Sequence, residues 1–200
     1  MIKKNSKCAV IVAHPDDETL WAGGLILMHP EVKWTIVSVC RKSDTDRAPK
    51  FFEALKKFDA DGFMADLDDG PEQKPLDKNE IQKTIMEQLP SNRYDLVVTH
   101  SALGEYTRHL RHEETGEAVL ELLKGNKLYA DRLWAFAYED GKRQYLPRAI
   151  EQADLLIELT DEIWEKKYNI ITDIYGFNKD SFEARTAPKK EAFWCFEASR

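Results

Sequence analysis

The sequence predicts an α/β fold: a single-domain, Rossmann-like, doubly wound and mostly parallel sheet with helices on both faces. The first observation is a set of continuous runs rich in Val and Ile, at residues 8–13, 32–40 and 94–99, which are typical of strands buried on both faces. The second is that segments with helical spacing of apolar residues alternate with these runs. The third is a length of 200 residues without a Gly- or Ser-rich linker, which predicts one domain over residues 1–200.

Helical and extended segments alternate along most of the chain. The strand at residues 8–13 ends at His14-Pro15, where Pro15 suits the first position of a helix. The elements expected after it are, in order, a helix with apolar residues from 20 to 28, a strand at 32–40, a helix with apolar residues from 51 to 58, a short strand at 61–67, a loop at 68–77, a helix at 78–89, a strand at 94–99, an irregular segment at 100–112, a helix with apolar residues from 119 to 123, strands at 132–138 and 153–159, and a last helix capped by Thr160.

The chain ends in an aromatic group at residues 193–196. Four such residues alone in water would form an exposed patch, so we expect them to dock on the body of the protein or on a neighbouring subunit. Self-association into a homo-oligomer is therefore a possible use of this segment.

Histidines collect where this fold places its ligands. In the common strand order 3-2-1-4-5 the chain reverses between strands 1 and 4, which opens a crevice at their carboxyl ends. The loops that follow Ala13 and Thr99 flank that crevice. They hold four of the five histidines, namely His14, His100, His109 and His112.

Composition excludes several classes of partner. The formal net charge of −7 and the lack of a basic stripe argue against a nucleic-acid partner and against docking on anionic membranes. No apolar run approaches the roughly 18 residues that span a bilayer. Three cysteines, odd in number and far apart, indicate reduced thiols. Together these observations predict a cytoplasmic protein.

The chemistry at the crevice is best explained by a metal. A Gly-rich dinucleotide turn, a P-loop and a Gly-x-Ser-x-Gly elbow are all missing from the sequence. His14 and Asp17, three residues apart at a strand-to-helix junction, could converge with one imidazole from the second loop. Two histidines and one carboxylate suit catalytic Zn²⁺, and Fe²⁺, Mn²⁺ or Ni²⁺ would fit similar ligands. The alternative is that the acidic residues only stabilise the helix dipole.

Two motifs carry a resemblance to a known family. Residues 13–18, Ala-His-Pro-Asp-Asp-Glu, resemble the signature of the PIG-L/LmbE-like metal-dependent N-deacetylases, which act on N-acetylglucosamine conjugates and related amino sugars. A second motif is similar to theirs in the same order: Thr99-His100, Gly104-Glu105-Tyr106 and His109-Leu110-Arg111-His112. The resemblance covers most of residues 8–112.

The resemblance implies a role for each matching residue. It makes His14, Asp17 and His112 the metal ligands. It makes Asp16 the general base, and protonated His109 the group that stabilises the oxyanion. Arg47 matches an arginine that contacts substrate, whereas His100 and Glu18 are interpreted as residues that contact the ligands. The implied function is a zinc-dependent hydrolase that removes an N-acetyl group from a small-molecule amino-sugar conjugate.

This chain departs from the family pattern in the second motif. One residue is inserted before the first His, where Thr107-Arg108 stands in place of a single Gly, and the usual Pro-Asp is replaced by Leu110-Arg111. We therefore expect a carboxylate that orients the site histidines to be missing. Arg108 and Arg111 either favour an anionic substrate or lie in a solvated loop. Two other functions stay open: a metal-dependent phosphoesterase, and a non-catalytic binding module with the same fold.

Overall fold

The strands of the computed structural model, which describes residues 2–106 and 108–197, form a seven-stranded sheet and a separate two-stranded one. The strands are β1 Lys7–Val12, β2 Lys33–Ser38, β3 Asp61–Met64, β4 Arg93–Thr99, β5 Tyr129–Phe136, β6 Tyr138–Glu139, β7 Arg148–Ala149, β8 Leu155–Glu158 and β9 Lys190–Glu197. The helices are α1 Asp17–Leu27, α2 Arg47–Phe58, α3 Lys78–Gln88, α4 Leu110–Lys124, α5 Asp161–Asn169, continued by a π-helical turn Ile170–Ile174, and α6 Phe182–Thr186.

The predicted fold class and strand order are confirmed. The large sheet runs β3-β2-β1-β4-β5-β9-β8, and its first five strands are parallel. Strands β1 and β4 pair directly, with Ala9 opposite Val97 and Ile11 opposite Thr99. The chain therefore reverses between them, as the order 3-2-1-4-5 requires.

Strand β1 is buried on both faces because helices cover both sides of the sheet. Val10 and Val12 belong to the core cluster that includes residues of α1, α2 and the π-helical turn. Ala9 and Ile11 point to the opposite cluster, which α3 and α4 complete. This is the physical reason for the continuous apolar run, since a strand with one wet face would alternate with polar residues.

The aromatic group near the end of the chain docks on the body, as expected, and does so as a strand. Strand β9 pairs antiparallel with β5, which sets Phe193 opposite Phe136, and both rings are fully buried. Strand β8, within the predicted 153–159, pairs antiparallel with the outer side of β9. The two antiparallel strands extend the parallel sheet beyond β5.

No helix among the described residues has both the length and the apolar content that a membrane crossing requires.

The carboxyl ends of β1 and β4 lie side by side and open on a site built by the start of α1 and by the loop between β4 and α4.

Candidate metal centre

The structure brings the three predicted ligands together at one point. His14 Nδ1 lies 3.1 Å from Asp17 Oδ2, and His112 Nε2 lies 3.2 Å from the same oxygen. The two ring nitrogens are 3.3 Å apart. Ligand atoms around a tetrahedral Zn²⁺ at the usual bond lengths are roughly 3.4 Å from one another. The donor set therefore fits a divalent metal with little movement of the side chains, although the ligand roles stay a prediction.

Asp17 is fixed in place by the first turn of α1. Its Oδ2 accepts the backbone N–H of His14 at 2.9 Å, and its Oδ1 accepts the indole N–H of Trp21, one turn later, at 3.1 Å. Trp21 is held in turn by Tyr138, whose hydroxyl donates to the Trp21 carbonyl at 3.1 Å and whose ring lies 4.8 Å away, centroid to centroid. Both carboxylate oxygens are thus anchored, and Oδ2 also faces the histidines.

His112 is oriented by a carboxylate, so the expectation that such a group is missing is wrong for this histidine, whereas the buried Nδ1 of His109 has no hydrogen-bond partner among the described residues. Glu105 Oε2 lies 2.7 Å from His112 Nδ1 and 2.8 Å from His100 Nδ1, and its Oε1 accepts the Ser101 N–H at 2.9 Å. Burial alone raises the pKa of Glu105, but the contacts with His100 and His112 outweigh it and hold the pKa at about 2. An ionised Glu105 keeps the His112 proton on Nδ1 and leaves Nε2 for a metal.

His100 lies beside the three predicted ligands. Its Nε2 accepts the backbone N–H of Ala13 at 3.0 Å and lies 3.5 Å from Asp17 Oδ2. Asp17, His100 and His112 are close enough to share an ion. Because the amide of Ala13 occupies the His100 nitrogen that faces the others, that set is less open than the one with His14.

Asp16 has a strained backbone. Its φ is 111°, in the region that non-glycine residues rarely adopt. Its N–H donates to Glu18 Oε2 at 3.0 Å, and its Oδ2 accepts from Arg47 Nη1 at 2.8 Å. Burial raises the pKa of Asp16 well above its usual range, the Asp17 charge raises it further, and Arg47 opposes both. Strain of this kind is common at functional sites.

Two aromatic residues after the π-helical turn contact the two hydrogen-bond partners of Asp16. The hydroxyl of Tyr175 donates to Glu18 Oε1 at 2.7 Å, and Glu18 is the acceptor of the Asp16 amide. The Phe177 ring lies 4.4 Å from the Arg47 guanidinium. The backbone of Asp16 is therefore linked to Tyr175, and its side chain to Phe177.

Arg47 and His109 both line a cavity of about 160 Å³ over the donor set. The His109 ring stacks on His112 with centroids 4.3 Å apart and meets the His14 ring edge-on at 4.7 Å. Burial and then the neighbouring His112 and His14 lower the pKa of His109 to about 3. Burial and the two neighbouring imidazoles thus disfavour the protonated form of His109 that the resemblance implies.

The two arginines of the second motif lie outside this cavity lining. Arg111 is buried and donates to the carbonyl oxygens of Asp68 and Lys74. It therefore neither faces the cavity, as contact with an anionic substrate would require, nor lies in a solvated loop. Arg108 is exposed and pairs with Glu113. Thr107, which precedes Arg108 in this motif, is outside the described residues.

Sequence reasoning missed Asp69 as part of the site. Its Oδ1 lies 3.2 Å from His14 Nε2. Burial opposes ionisation of Asp69, but the contact with His14 outweighs it and holds the pKa of Asp69 below its ordinary value. A signal was present, because the acidic residues after β3 follow a parallel strand and must lie at the same edge of the sheet as His14. Phe182 and Glu183 of α6 also line the cavity, and no local pattern marks them.

Solved structures share the fold. The model superposes with a TM-score of 0.73 on N,N'-diacetylchitobiose deacetylase from Pyrococcus horikoshii, at 14% identity over 96% of this chain and 84% of that one. A deacetylase of teicoplanin biosynthesis gives 0.65 at 15% identity, over 97% and 99% of the two chains. GalB, the 4-carboxy-2-hydroxymuconate hydratase from Pseudomonas putida KT2440, gives 0.60 at 18% identity, over 91% and 84%. At these identities the likeness establishes the fold, which here carries more than one chemistry.

Sequence comparison goes further. No curated protein sequence matches the chain. A family model described as GlcNAc-PI de-N-acetylase, PIG-L, matches residues 9–123, more than half of the chain and the part that contains both motifs. The protein therefore belongs to the PIG-L family.

Proposed function

We propose that this protein is a metal-dependent hydrolase that removes the N-acetyl group of an amino-sugar conjugate. The observation that carries the proposal is the triangle of His14 Nδ1, Asp17 Oδ2 and His112 Nε2, with edges of 3.1 to 3.3 Å, beside the strained Asp16. Membership of a family named for de-N-acetylation supports the choice of reaction. The two deacetylases with the same fold agree with it.

Zn²⁺ is the metal we propose, with Fe²⁺, Mn²⁺ or Ni²⁺ as alternatives for the same two nitrogens and one oxygen. A divalent ion held there supplies Lewis-acid activation of water and of the substrate carbonyl. The three side chains leave one side of the donor set facing the cavity, which is what a catalytic rather than a structural zinc site needs.

Asp16 acts as the general base in this proposal. It accepts a proton from the attacking water and delivers it to the amine nitrogen that leaves, so that acetate and a free amino sugar are formed. Its raised pKa suits this exchange, since a carboxylate of ordinary pKa would be a poor proton donor at neutral pH. Arg47 keeps the Oδ2 atom in position through the 2.8 Å contact.

His109 donates its ring N–H to the carbonyl oxygen as negative charge develops there. Oxyanion donors of this kind contribute about 2.7–4 kcal/mol in known cases. Arg47 also faces the cavity and is proposed to hydrogen-bond the sugar. A cytoplasmic location and self-association stay predictions.

The other functions fit less well. A two-metal phosphoesterase needs a second ion about 3.5–4 Å from the first. The further donor groups among the described residues, Asp17 with His100 and His112, and His14 with His109 and His112, each reuse two of the three predicted ligands, so neither offers an independent second site. A binding module has no use for the strain at Asp16, which costs of order 1–3 kcal/mol.

The test is an assay of metal-free and metal-loaded protein. We expect the apoprotein to be inactive, and added Zn²⁺ or another divalent ion to restore acetate release from N,N'-diacetylchitobiose or from a panel of N-acetylglucosamine conjugates. Full activity with metal confirmed absent would overturn the metal dependence. Metal-loaded protein that hydrolyses no N-acetyl substrate, while hydrating an unsaturated carboxylic acid, would assign it the chemistry of the hydratase instead.

A further inference from the structure

Arg111 occupies the position where the family motif has an aspartate, and its side chain is 1% exposed. Each of its three nitrogens has an acceptor. Nε donates to the Asp68 carbonyl at 2.5 Å, Nη2 donates to the Lys74 carbonyl at 2.6 Å, and Nη1 pairs with the Glu114 carboxylate. All three nitrogens of this buried guanidinium are thus paired, and a charge removed from water without such partners would be strongly destabilising.

The two carbonyls that Arg111 binds are the two ends of one loop segment, residues 68–74. Glu114 adds a third attachment a little further on, where its Oε1 accepts the Leu76 N–H at 3.0 Å. Arg111 and Glu114 both lie in α4, one turn apart, and the same helix carries His112. The contacts therefore clamp this loop to the helix that supplies a predicted metal ligand.

The clamped loop carries Asp69, which faces the other histidine of the donor set. Asp69 Oδ1 lies 3.2 Å from His14 Nε2, a buried nitrogen for which the described residues provide no hydrogen bond of good geometry. Gln73 donates to the same oxygen at 2.9 Å, and Arg41 donates to Oδ2 at 2.6 Å. A carboxylate facing the free nitrogen of a ligating imidazole fixes the orientation of the ring and raises its basicity.

We propose that Arg111 is a positioning residue of the metal centre: by clamping residues 68–74 to α4, it holds the Asp69 carboxylate against His14. The orienting carboxylate of this histidine thus comes from a second loop, in a chain whose motif lacks the family aspartate. The inference rests on the proposed function, since it requires a metal at His14, Asp17 and His112.

Metal affinity tests this without any substrate. Apoprotein prepared by chelation is titrated with Zn²⁺ against a chromophoric chelator, for wild type, Asp69→Asn, Arg111→Met and the double variant. Asp69→Asn should weaken Zn²⁺ binding by about 10–100-fold. Arg111→Met should weaken it by no more than that, and the double variant should match the weaker single, because Arg111 acts through Asp69.

The chain offers a matched control for each change. Arg108→Met removes an exposed arginine of the same motif, and Asp68→Asn alters the side chain beside Asp69 while keeping its carbonyl; both should stay within about twofold of wild type. Arg111→Lys serves if Arg111→Met does not fold, since an ammonium keeps the charge beside Glu114 but cannot span both carbonyls.

The outcomes separate the inference from the proposed function. Wild-type affinity in Asp69→Asn or in a folded Arg111 variant overturns the inference, as do losses that multiply in the double variant. If wild type binds no divalent ion, or Asp17→Asn binds Zn²⁺ as well as wild type, the metal centre itself is wrong. If wild type binds Zn²⁺ but the Asp69 and Arg111 variants bind it equally well, the inference fails and the proposed function stands.

Discussion

The chain up to His112 supplies the chemical groups of the candidate metal centre, whereas the chain after Phe136 supplies contacts that hold them. The predicted ligands, base and oxyanion donor all lie in the loops after β1 and β4 or in the first turn of the helices that follow, α1 and α4. From the later part come Tyr138, which holds Trp21 behind Asp17, and Tyr175 and Phe177, which reach Asp16 through Glu18 and Arg47. Catalytic groups can be recognised in short motifs, whereas the residues that orient them come from any part of the chain that the fold brings close.

The largest expected effects separate Asp16 from Asp17. Asp16→Asn removes the proton acceptor and leaves the donor set intact, so kcat should fall by roughly 10²–10⁴-fold with metal content near wild type. Asp17→Asn replaces a charged ligand by a weak neutral one, so metal affinity itself should drop. Metal content by mass spectrometry and kcat on the best N-acetyl substrate check both, and added Zn²⁺ should partly rescue only Asp17→Asn.

A reversal of these two results would exchange the roles. If Asp16→Asn loses its metal while Asp17→Asn keeps it and is inactive, then Asp16 is the ligand and Asp17 the base. His112→Ala is the companion variant and should behave like Asp17→Asn.

A smaller effect is expected at Glu105, which orients His112 from within the first part of the chain. Glu105→Gln keeps the size but weakens the acceptor for two imidazole N–H groups, so Zn²⁺ affinity should fall by about 10–100-fold. Competition titration measures it. Glu113→Gln, on the exposed pair with Arg108, is the control and should bind Zn²⁺ as wild type does. Equal affinity in the two variants would mean that Glu105 only stabilises the loop.

Arg47→Ala should lower kcat/KM while leaving metal affinity near wild type. The guanidinium lines the cavity and contacts Asp16 Oδ2, but it contacts none of the three predicted ligands. Steady-state kinetics and a Zn²⁺ titration on the same samples check this. Unchanged kinetics on the true substrate would leave Arg47 without a functional role, and lost Zn²⁺ affinity would place it in the support of the metal.

The sequence predicted the parts of the fold that local patterns specify. Strand order β3-β2-β1-β4-β5 is the common order of doubly wound sheets, a class that the alternating buried runs and helices predict, and it places His14 beside His112 across 98 residues of sequence. The antiparallel return of β9 was predicted only as docking of residues 193–196, because the polar stretch before it gives no signal of the partner strand.

The supporting residues could not be read from the sequence for a related reason. Nothing near Arg111 indicates that its side chain is buried against the loop at 68–74, since both acceptors there are backbone carbonyls. Likewise Tyr175 belongs to an apolar helical stripe, and only the tertiary structure shows its hydroxyl on Glu18. Side-chain chemistry is encoded locally, but long-range hydrogen bonds are not.

The smallest expected effect comes from Tyr175, and it tests whether the later part of the chain orients Asp16, the proposed base. Tyr175→Phe removes only the hydroxyl that donates to Glu18 Oε1, while Glu18 still accepts from Thr19 and from the Asp16 amide. Stability should fall by about 1.5–3 kcal/mol, as for a hydrogen bond to a charged group. The rate should fall by about 3- to 10-fold, well below the roughly 10²-fold that a 1 Å misplacement costs, with KM and Zn²⁺ affinity unchanged. Tyr168→Phe is the control, because the Tyr168 ring stacks on Trp164, with the ring centroids 5.0 Å apart. If the two variants lose stability to different extents but keep equal kcat, the Tyr175 contact is structural only, and the aim of Asp16 is set within the first part of the chain.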